Sequence, residues 1–302
     1  MLTKSTGKLY PNLFMITYGN SCHYLLKAEH DLILFDPGLT AHVHLLPKRL
    51  EQLGFQASRI TKIVLTHLDP HRIGGIPALR DIAPMAKLAA SPAQISLLEN
   101  QNFIEYVQKQ DQELSQHFFS AGDQGIFKRE KYFTRFLVEE EIRFDRSLPL
   151  GAEASLQAIQ GPGHTVNSIC FYIRPINVVI ADDGLGYFRG EQLPGPAADY
   201  SIEANKLTLA RILELDIEAI CLPHFGALSG DAARSHIKRT LEALENLVRE
   251  CNQAIEIGVK APDIKQAIKE SFYQIEKWDP IAEDSFERSL DSLCKQISEM
   301  EV

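Results

Sequence analysis

The sequence lacks several features that would assign it to a specialised class of protein. Its cysteines are odd in number, form no C-x-x-C pair and are scattered: Cys22, Cys170, Cys221, Cys251 and Cys294. This pattern is atypical of a disulfide framework and typical of free thiols in a reducing compartment. No apolar run approaches a membrane-spanning length, and the first residues begin no secretory signal. We therefore expect a cytoplasmic protein without membrane insertion.

An excess of basic charge is also missing. The chain has 31 Lys and Arg against 40 Asp and Glu, a formal net charge of -9. This balance argues against a nucleic-acid or anionic membrane partner, although a local basic patch stays open, and leaves a small-molecule substrate as the expected partner. No repeat or low-complexity tract occurs. The 45% hydrophobic and 24% charged content is ordinary for a globular protein of 302 residues.

The most informative stretch is I-V-L-T-H-L-D-P-H-R-I-G-G, which ends at Gly75. Its apolar, β-branched beginning predicts a buried strand, and its two glycines precede a predicted helix. His67, Asp69 and His71 occupy alternate positions of the loop between them, so an extended backbone projects all three to one side. Imidazole together with carboxylate suits Zn, Fe or Mn. The loop therefore predicts a metal site.

This stretch resembles the loop T-H-x-[HD]-x-D-H-x-G-G of the metallo-β-lactamase superfamily, which likewise lies between a strand and a helix. Asp69 stands where many members have a second His, and Asp is a familiar alternative there. His71 replaces the usual Asp, and Arg72 replaces the usual last His. The spacing of the motif is kept, but the residues at positions 71 and 72 differ from the usual ones.

Further motifs follow predicted strands in the order that this family has. Gly161-Pro162-Gly163-His164-Thr165 resembles the family's G-H-[ST], whose His binds the first metal. Pro223-His224-Phe225-Gly226 resembles the last ligand motif. Asp36-Pro37-Gly38 resembles a D-x-G whose Asp usually orients the metal loop, and a plain turn Asp is the alternative interpretation.

Two adjacent acidic residues compete for the bridging position. Asp182-Asp183-Gly184-Leu185 resembles the family's G-D-x-L, whose Asp bridges two metals. Adjacent side chains at a strand end point in opposite directions, so one of the two should reach the site. Aligning Leu185 with the family's Leu favours Asp183, with Asp182 as the alternative.

The resemblance implies two divalent metal ions, Zn or Fe with Mn as a further option. It implies six ligands that each follow a strand: His67, Asp69, His71, His164, Asp183 and His224. One ion would bind His67, Asp69 and His164. The other would bind the two remaining histidines, with Asp183 bridging.

The implied fold is α/β, a four-layer αββα sandwich over roughly residues 1–230. A largely helical insertion is expected near 93–145. A C-terminal helical appendage is expected over 231–302, with helices near 234–248, 264–275 and 285–297. The apolar stripes of the appendage suit either a cover over the pocket or a homodimer interface.

The first functional hypothesis is hydrolysis of an ester, thioester, lactone or phosphoester. Two metals depress the pKa of a bridging water from near 15.7 to roughly 7 and so provide hydroxide at neutral pH. The catalytic candidates are Asp183, His71 and Arg72. Arg72 cannot be a ligand, so it either holds a substrate carboxylate or phosphate or pairs with a nearby Asp.

Two other functions stay open. The carboxylate at the first metal also resembles flavodiiron proteins, which implies a non-heme diiron protein that binds oxygen or does redox chemistry, although no flavodoxin-like segment is visible. A degenerate member that acts through protein contact is the third.

Several residues are expected to have no part in the site. His42 and His44 lie two apart on a predicted helix and share no face, so both are expected on the surface. His236 falls among charged residues of a helical pattern and is expected to be solvated. The aromatic cluster 117–119 is expected in the core, with a substrate lid as the alternative.

Overall fold

A computed structural model of the protein describes residues 1–118, 136–151, 154–273 and 278–299. The strands are β1 (Leu2–Thr3), β2 (Gly7–Tyr10), β3 (Leu13–Tyr18), β4 (Ser21–Lys27), β5 (Leu32–Phe35), β6 (Lys62–Val64), β7 (Lys87–Ala90), β8 (Glu140–Glu141), β9 (Leu148–Pro149), β10 (Ser155–Gln160), β11 (Ile169–Arg174), β12 (Val178–Ile180), β13 (Ala219–Cys221) and β14 (Ala227–Ser229). The helices are α1 (Thr40–Gln52), α2 (Pro70–Ile73), α3 (Ile76–Ile82), α4 (Pro92–Leu98), α5 (Gln101–Ser115), α6 (Ile202–Leu213), α7 (Asp231–Glu256), α8 (Ala261–Tyr273) and α9 (Pro280–Glu299). Short 3₁₀ turns cover Ala57–Arg59 and Asp183–Leu185.

The described strands form two sheets. One has the spatial order β2-β3-β4-β5-β6-β7-β8, and the other has the order β1-β14-β13-β12-β11-β10-β9. β5, β6 and β7 run parallel in the first sheet, as do β12 and β13 in the second. Parallel neighbours need a crossover, which α1, α3 and α6 supply. The carboxyl ends of the parallel strands within each sheet therefore meet at one edge.

Apolar clusters hold the layers together. The inner faces of the two sheets share one cluster, in which the rings of Phe35 and Phe171 lie 5.5 Å apart. Helices α1, α3, α4 and α5 cover the outer face of the first sheet. Helices α6 and α7 cover the outer face of the second. The predicted four-layer αββα sandwich is confirmed.

The segment predicted as a helical insertion contains α4 and α5. Glu140–Glu141, near its predicted end, forms the edge strand β8 instead, because it pairs in parallel with β7. The ring centroid of Phe118 lies 5.1 Å from that of His42, which favours the core interpretation for Phe118. The core prediction is wrong for His117, whose side chain is exposed. Residues 119–135, which include Phe119 of this aromatic cluster, lie outside the described residues.

The three C-terminal helices expected near 234–248, 264–275 and 285–297 are α7, α8 and α9. The apolar stripes of α7 and α9 pack against each other within the chain, with Leu244 and Leu247 in the same cluster as Leu293 and Ile297. A homodimer through these helices stays a prediction. In the described parts of the chain, no helix combines the length and apolarity that crossing a bilayer requires.

The prediction that His42 lies on the surface is wrong. Its side chain is fully buried and stacks on Tyr18, with ring centroids 4.6 Å apart. His42 precedes the buried Leu46 by one helical turn, so both share the inner face of α1. His44 is exposed, as predicted.

The prediction that His236 is solvated is also wrong. This residue of α7 is buried, and its Nε2–H donates to the backbone oxygen of Leu185 at 3.0 Å. Thr240, one turn further, donates to the same oxygen at 3.0 Å. Burial lowers the pKa of His236 to about 4, so the imidazole is neutral at neutral pH.

The burial of His236 makes stability depend on pH. In the unfolded chain His236 is protonated below about pH 6.5, whereas in the folded chain it stays neutral down to about pH 4. The free energy of unfolding therefore decreases as pH falls through this window. We expect His236→Gln to reduce the slope of unfolding free energy against pH by up to about 1.4 kcal/mol per unit between pH 6.5 and 4. Urea unfolding across this range measures it. The exposed His30→Gln is the control, and equal slopes for both variants would contradict the assignment.

The second glycine of the metal loop is required by close packing. A Cβ on Gly75 would lie 2.6 Å from Val43 Cγ2 and 2.7 Å from the oxygen of Leu39. Gly75→Ala should therefore lower the free energy of unfolding by about 1–3 kcal/mol in chemical denaturation. Gly7→Ala, whose Cβ would meet nothing closer than 3.8 Å, should change it by less than about 0.5 kcal/mol. Similar small effects at both positions would argue against this packing.

Candidate metal centre

The candidate ligands lie where strands end. His67, Asp69 and His71 follow β6 in the first sheet, and the other three candidates follow β10, β12 and β13 in the second. The two sheets are joined at this edge by the backbone bond from Ile169 N–H to the oxygen of Thr66, which is 2.7 Å long. This bond holds the two sheets together beside the ligands, so ligands from one sheet lie opposite ligands from the other.

Asp36 orients the loop that carries the first ligands. Its backbone has φ of 52°, in the left-handed region, which turns the chain at the end of β5. One carboxylate oxygen accepts the backbone N–H of Thr66 at 2.8 Å, and the other accepts the Thr66 hydroxyl at 2.6 Å. These bonds support the orienting role over the plain turn Asp.

The structure brings all six candidate ligands together around Asp183. The first donor group consists of His67, Asp69, His164 and Asp183, and the second donor group consists of His71, Asp183 and His224. Within each group, one ligand atom from every residue lies within 4.8 Å of the others. Asp183 belongs to both groups, as a bridging carboxylate would.

The distances between donor atoms suit a shared cation better than hydrogen bonds. Asp183 Oδ2 lies 3.5 Å from His67 Nε2 and 3.8 Å from His164 Nε2, while its Oδ1 lies 3.6 Å from His224 Nε2. Two ligands on one cation at bond lengths of about 2.1 Å and a tetrahedral angle are about 3.4 Å apart.

The buried donor atoms also lack hydrogen-bond partners among the described residues. These atoms are His67 Nε2, Asp69 Oδ2, His71 Nε2, His164 Nε2, Asp183 Oδ1 and both ring nitrogens of His224. Buried polar atoms are rarely left unpaired, so a cluster of them indicates a missing charged partner. The residues present therefore fit divalent metal ions.

The carboxylates are held in the ionised form that binds metal. Burial acts to raise the pKa of Asp183, but His224, Arg72 and His67 outweigh it and hold the pKa well below its usual range. The pKa of Asp69 is likewise well below its usual range, because Arg288 and His164 outweigh the effect of burial.

The histidines divide into two kinds. Burial and the neighbouring Arg72 lower the pKa of His71 well below 6.5 and that of His224 to about 3, so both are neutral. Burial also acts to lower the pKa of His164. The carboxylates of Asp199 and Asp69 outweigh this effect and raise the pKa of His164 well above 6.5. A cation bound at His164 would displace that proton.

The structure separates the two adjacent acidic residues. Asp183 lies among the donor atoms, whereas the buried Asp182 is in neither donor group and lies 3.7 Å from the thiol of Cys170. Opposite side-chain directions at the end of β12 account for the difference.

Arg72 is fully buried beside the second donor group. Its Nη2 lies 3.6 Å from Asp183 Oδ1, and its Nη1 donates to the backbone oxygen of Cys22 at 3.2 Å. This placement favours the pairing with a nearby Asp over contact with a substrate.

The last helix supplies site residues that sequence reasoning missed. Ser285 donates to Asp183 Oδ2 at 3.3 Å, and Arg288 Nη2 lies 3.2 Å from Asp69 Oδ2. Asp279, just before α9, and Asn20 exchange hydrogen bonds that dock the start of this helix beside β4. In the sequence, Ser285 adjoins the apolar stripe of the last helix, which is a weak signal for a buried polar residue. No sequence signal marks Arg288.

Asp199 was missed as well. Its Oδ1 accepts from Nδ1 of His164 at 3.1 Å and so fixes the ring orientation. It lies in an irregular loop before α6, where no periodicity marks it.

Comparison with protein families and solved structures agrees with this geometry. The model of the metallo-beta-lactamase superfamily matches residues 19–224, which is more than half of the chain. No curated protein sequence matches significantly.

Solved structures share the fold at low sequence identity. A metallo-beta-lactamase family protein from Thermus thermophilus is 17% identical, with a TM-score of 0.66, covering 97% of this chain and 95% of its own. An archaeal superfamily protein from Sulfolobus tokodaii is 16% identical, with a TM-score of 0.58 and coverage of 96% and 100%. A subclass B3 metallo-beta-lactamase of Bradyrhizobium japonicum is 17% identical, with a TM-score of 0.57 and coverage of 83% and 96%.

The role of Asp36 predicts a specific effect on metal binding. Asp36→Ala leaves the buried N–H of Thr66 without its acceptor, so we expect Zn²⁺ affinity to fall by about 10–100-fold in competition with a chromogenic chelator. Asp31→Ala is the matched control, because it removes a 2.8 Å bond to Thr61 near the start of β6. Equal affinities for the two variants would refute the orienting role.

Proposed function

Because the chain belongs to the metallo-β-lactamase superfamily, we propose that it is a metal-dependent hydrolase of an ester, thioester, lactone or phosphoester. Two groups of buried donor atoms that share Asp183 carry this proposal. Divalent ions held there would supply Lewis acidity, lowering the pKa of water and polarising the bond to be cleaved.

Each ligand has a proposed place. His67, Asp69 and His164 would hold one ion with Asp183, and the two remaining histidines, His71 and His224, would hold another through the same carboxylate. The ions are proposed to be Zn or Fe, with Mn as a further option, because the donors are imidazole and carboxylate only.

The residues around the ligands position them and meet the substrate. Ser285 orients the carboxylate of Asp183 through its hydroxyl. Arg72 balances the charge of Asp183 in a place that solvent does not reach. Arg288 is 31% exposed, so a carboxylate or phosphate of a substrate is proposed to meet Arg288 rather than Arg72.

Non-heme iron chemistry is the second candidate, supported by a specific feature. Two of the four residues in the first donor group are carboxylates, which shifts metal preference from zinc toward iron. The complete donor set supports either metal-dependent function over a degenerate member that acts through protein contact.

Hydrolysis is tested with protein purified without added metal. The substrates are a chromogenic ester, a thioester, a lactone, a phosphodiester and a β-lactam, the last because solved relatives are named for it. We expect at least one to be cleaved, with kcat/KM falling by more than about 100-fold after chelation and returning with metal.

Two variants at adjacent positions sharpen this test. Asp183→Asn should remove most activity, while Asp182→Asn should retain more, since Asp182 lies outside both donor groups. Folded, metal-loaded protein that cleaves none of the substrates would overturn the hydrolase proposal. A visible absorption band that responds to oxygen or reductant would then favour the diiron candidate.

A further inference from the structure

The two donor groups differ in the carboxylates available to a cation. The first donor group contains two carboxylates, from Asp69 and Asp183. The second contains one, from Asp183, which it shares with the first. A second ion therefore receives less negative charge than the first.

The histidines of the first donor group are held in the orientation that binds metal. Asp199 accepts from Nδ1 of His164 at 3.1 Å. Nδ1 of His67 lies 2.9 Å from the hydroxyl oxygen of Thr66, whose proton is already donated to Asp36. Each ring therefore donates from Nδ1 and directs its Nε2 toward the carboxylates, which is the orientation that ligating histidines have.

The histidines of the second donor group have no such support. Nδ1 of His71 faces Nη2 of Arg288 at 3.5 Å, and a guanidinium only donates. Nε2 of His71 lies 3.7 Å from Asp183 Oδ2. Neither ring nitrogen of His224 has a hydrogen-bond partner in the described parts of the chain. The described residues therefore orient the imidazoles of the second donor group less firmly than those of the first.

Arg72 adds a fixed positive charge to the second donor group. Its guanidinium is a cation, and its Nη2 lies 3.6 Å from Asp183 Oδ1. His224 Nε2 approaches the same oxygen at 3.6 Å. A second cation would have to share this oxygen with Arg72, in a buried place where like charges repel strongly.

We propose that the two halves of the centre are unequal: the chain retains one divalent ion in the first donor group, and Arg72 takes the place of a tightly bound second ion. This inference rests on the metal centre of the proposed function. It makes Arg72, which stands where the family's usual last His does, the residue that weakens the second half of the centre.

Metal stoichiometry tests the inference without reference to activity. Full-length protein loaded with Zn²⁺ and dialysed against metal-free buffer should retain about one ion per chain, measured by elemental analysis. Titration with further Zn²⁺ should show a second site at least about 10–100-fold weaker. His164→Ala should lose the retained ion, and His224→Ala should keep it.

Two substitutions separate the charge of Arg72 from its bulk. Arg72→Gln removes the charge and should tighten the second site by about tenfold or more, whereas Arg72→Lys retains the charge and should leave the second site weak. Circular dichroism checks that each variant is folded. If Arg72→Gln does not fold, the comparison of His164→Ala with His224→Ala decides.

The outcomes separate this inference from the proposed function. Two ions retained with equal affinity would overturn the inference and leave the hydrolase proposal standing. One retained ion that is lost in His224→Ala but kept in His164→Ala would also overturn it. Folded protein that binds no ion at all would overturn both.

Discussion

The buried carboxylate of Asp183 is the group on which the rest of the site depends. An ionised carboxylate inside a protein is costly unless charges or donors surround it. Both sheets and the last helix supply such neighbours: His67, His71, Arg72, His164, His224 and Ser285. The imidazoles stand 3.5–3.8 Å away, too far for good hydrogen bonds. A cation between them would satisfy the carboxylate and the imidazoles together.

The fold can hold this arrangement because its ligands follow buried strands closely. Most lie on short loops, whereas His71 lies in the short helix α2 rather than in the extended loop predicted for it, and Asp183 begins a 3₁₀ turn. β6 belongs to one sheet, and β12 and β13 belong to the other, yet all three end at the edge where the sheets are joined by backbone hydrogen bonds.

Two non-glycine residues at this edge, Asp36 and Phe225, have left-handed backbone conformations. Such strained residues persist only where surrounding structure holds them, and they cluster at functional sites.

The last C-terminal helix contributes side chains that contact the candidate ligands. α9 packs its apolar stripe inside the chain and turns Ser285 and Arg288 toward the ligands. The same helix face thus stabilises the fold and completes the charge balance of the centre. The guanidinium groups of Arg72 and Arg288 lie beside the carboxylates of Asp183 and Asp69, so each carboxylate of the donor groups has a positively charged neighbour.

Much of the fold was predictable from sequence, because the strand patterns and the T-H-x-D-P-H-R-I-G-G loop are local. The order of the ligand motifs after strands likewise predicted six ligands, whose side chains lie close together in the structure. Alignment at Leu185 favoured Asp183, the acidic residue that lies among them. Burial of His42 and His236 was not predicted, although each shares a helix face with apolar residues one or two turns away. The partners of these two rings, and the approach of Asp199 and Arg288 to the ligands, come from segments distant in sequence. Local periodicity records which face of a helix is apolar, whereas only tertiary packing decides which polar groups that face meets.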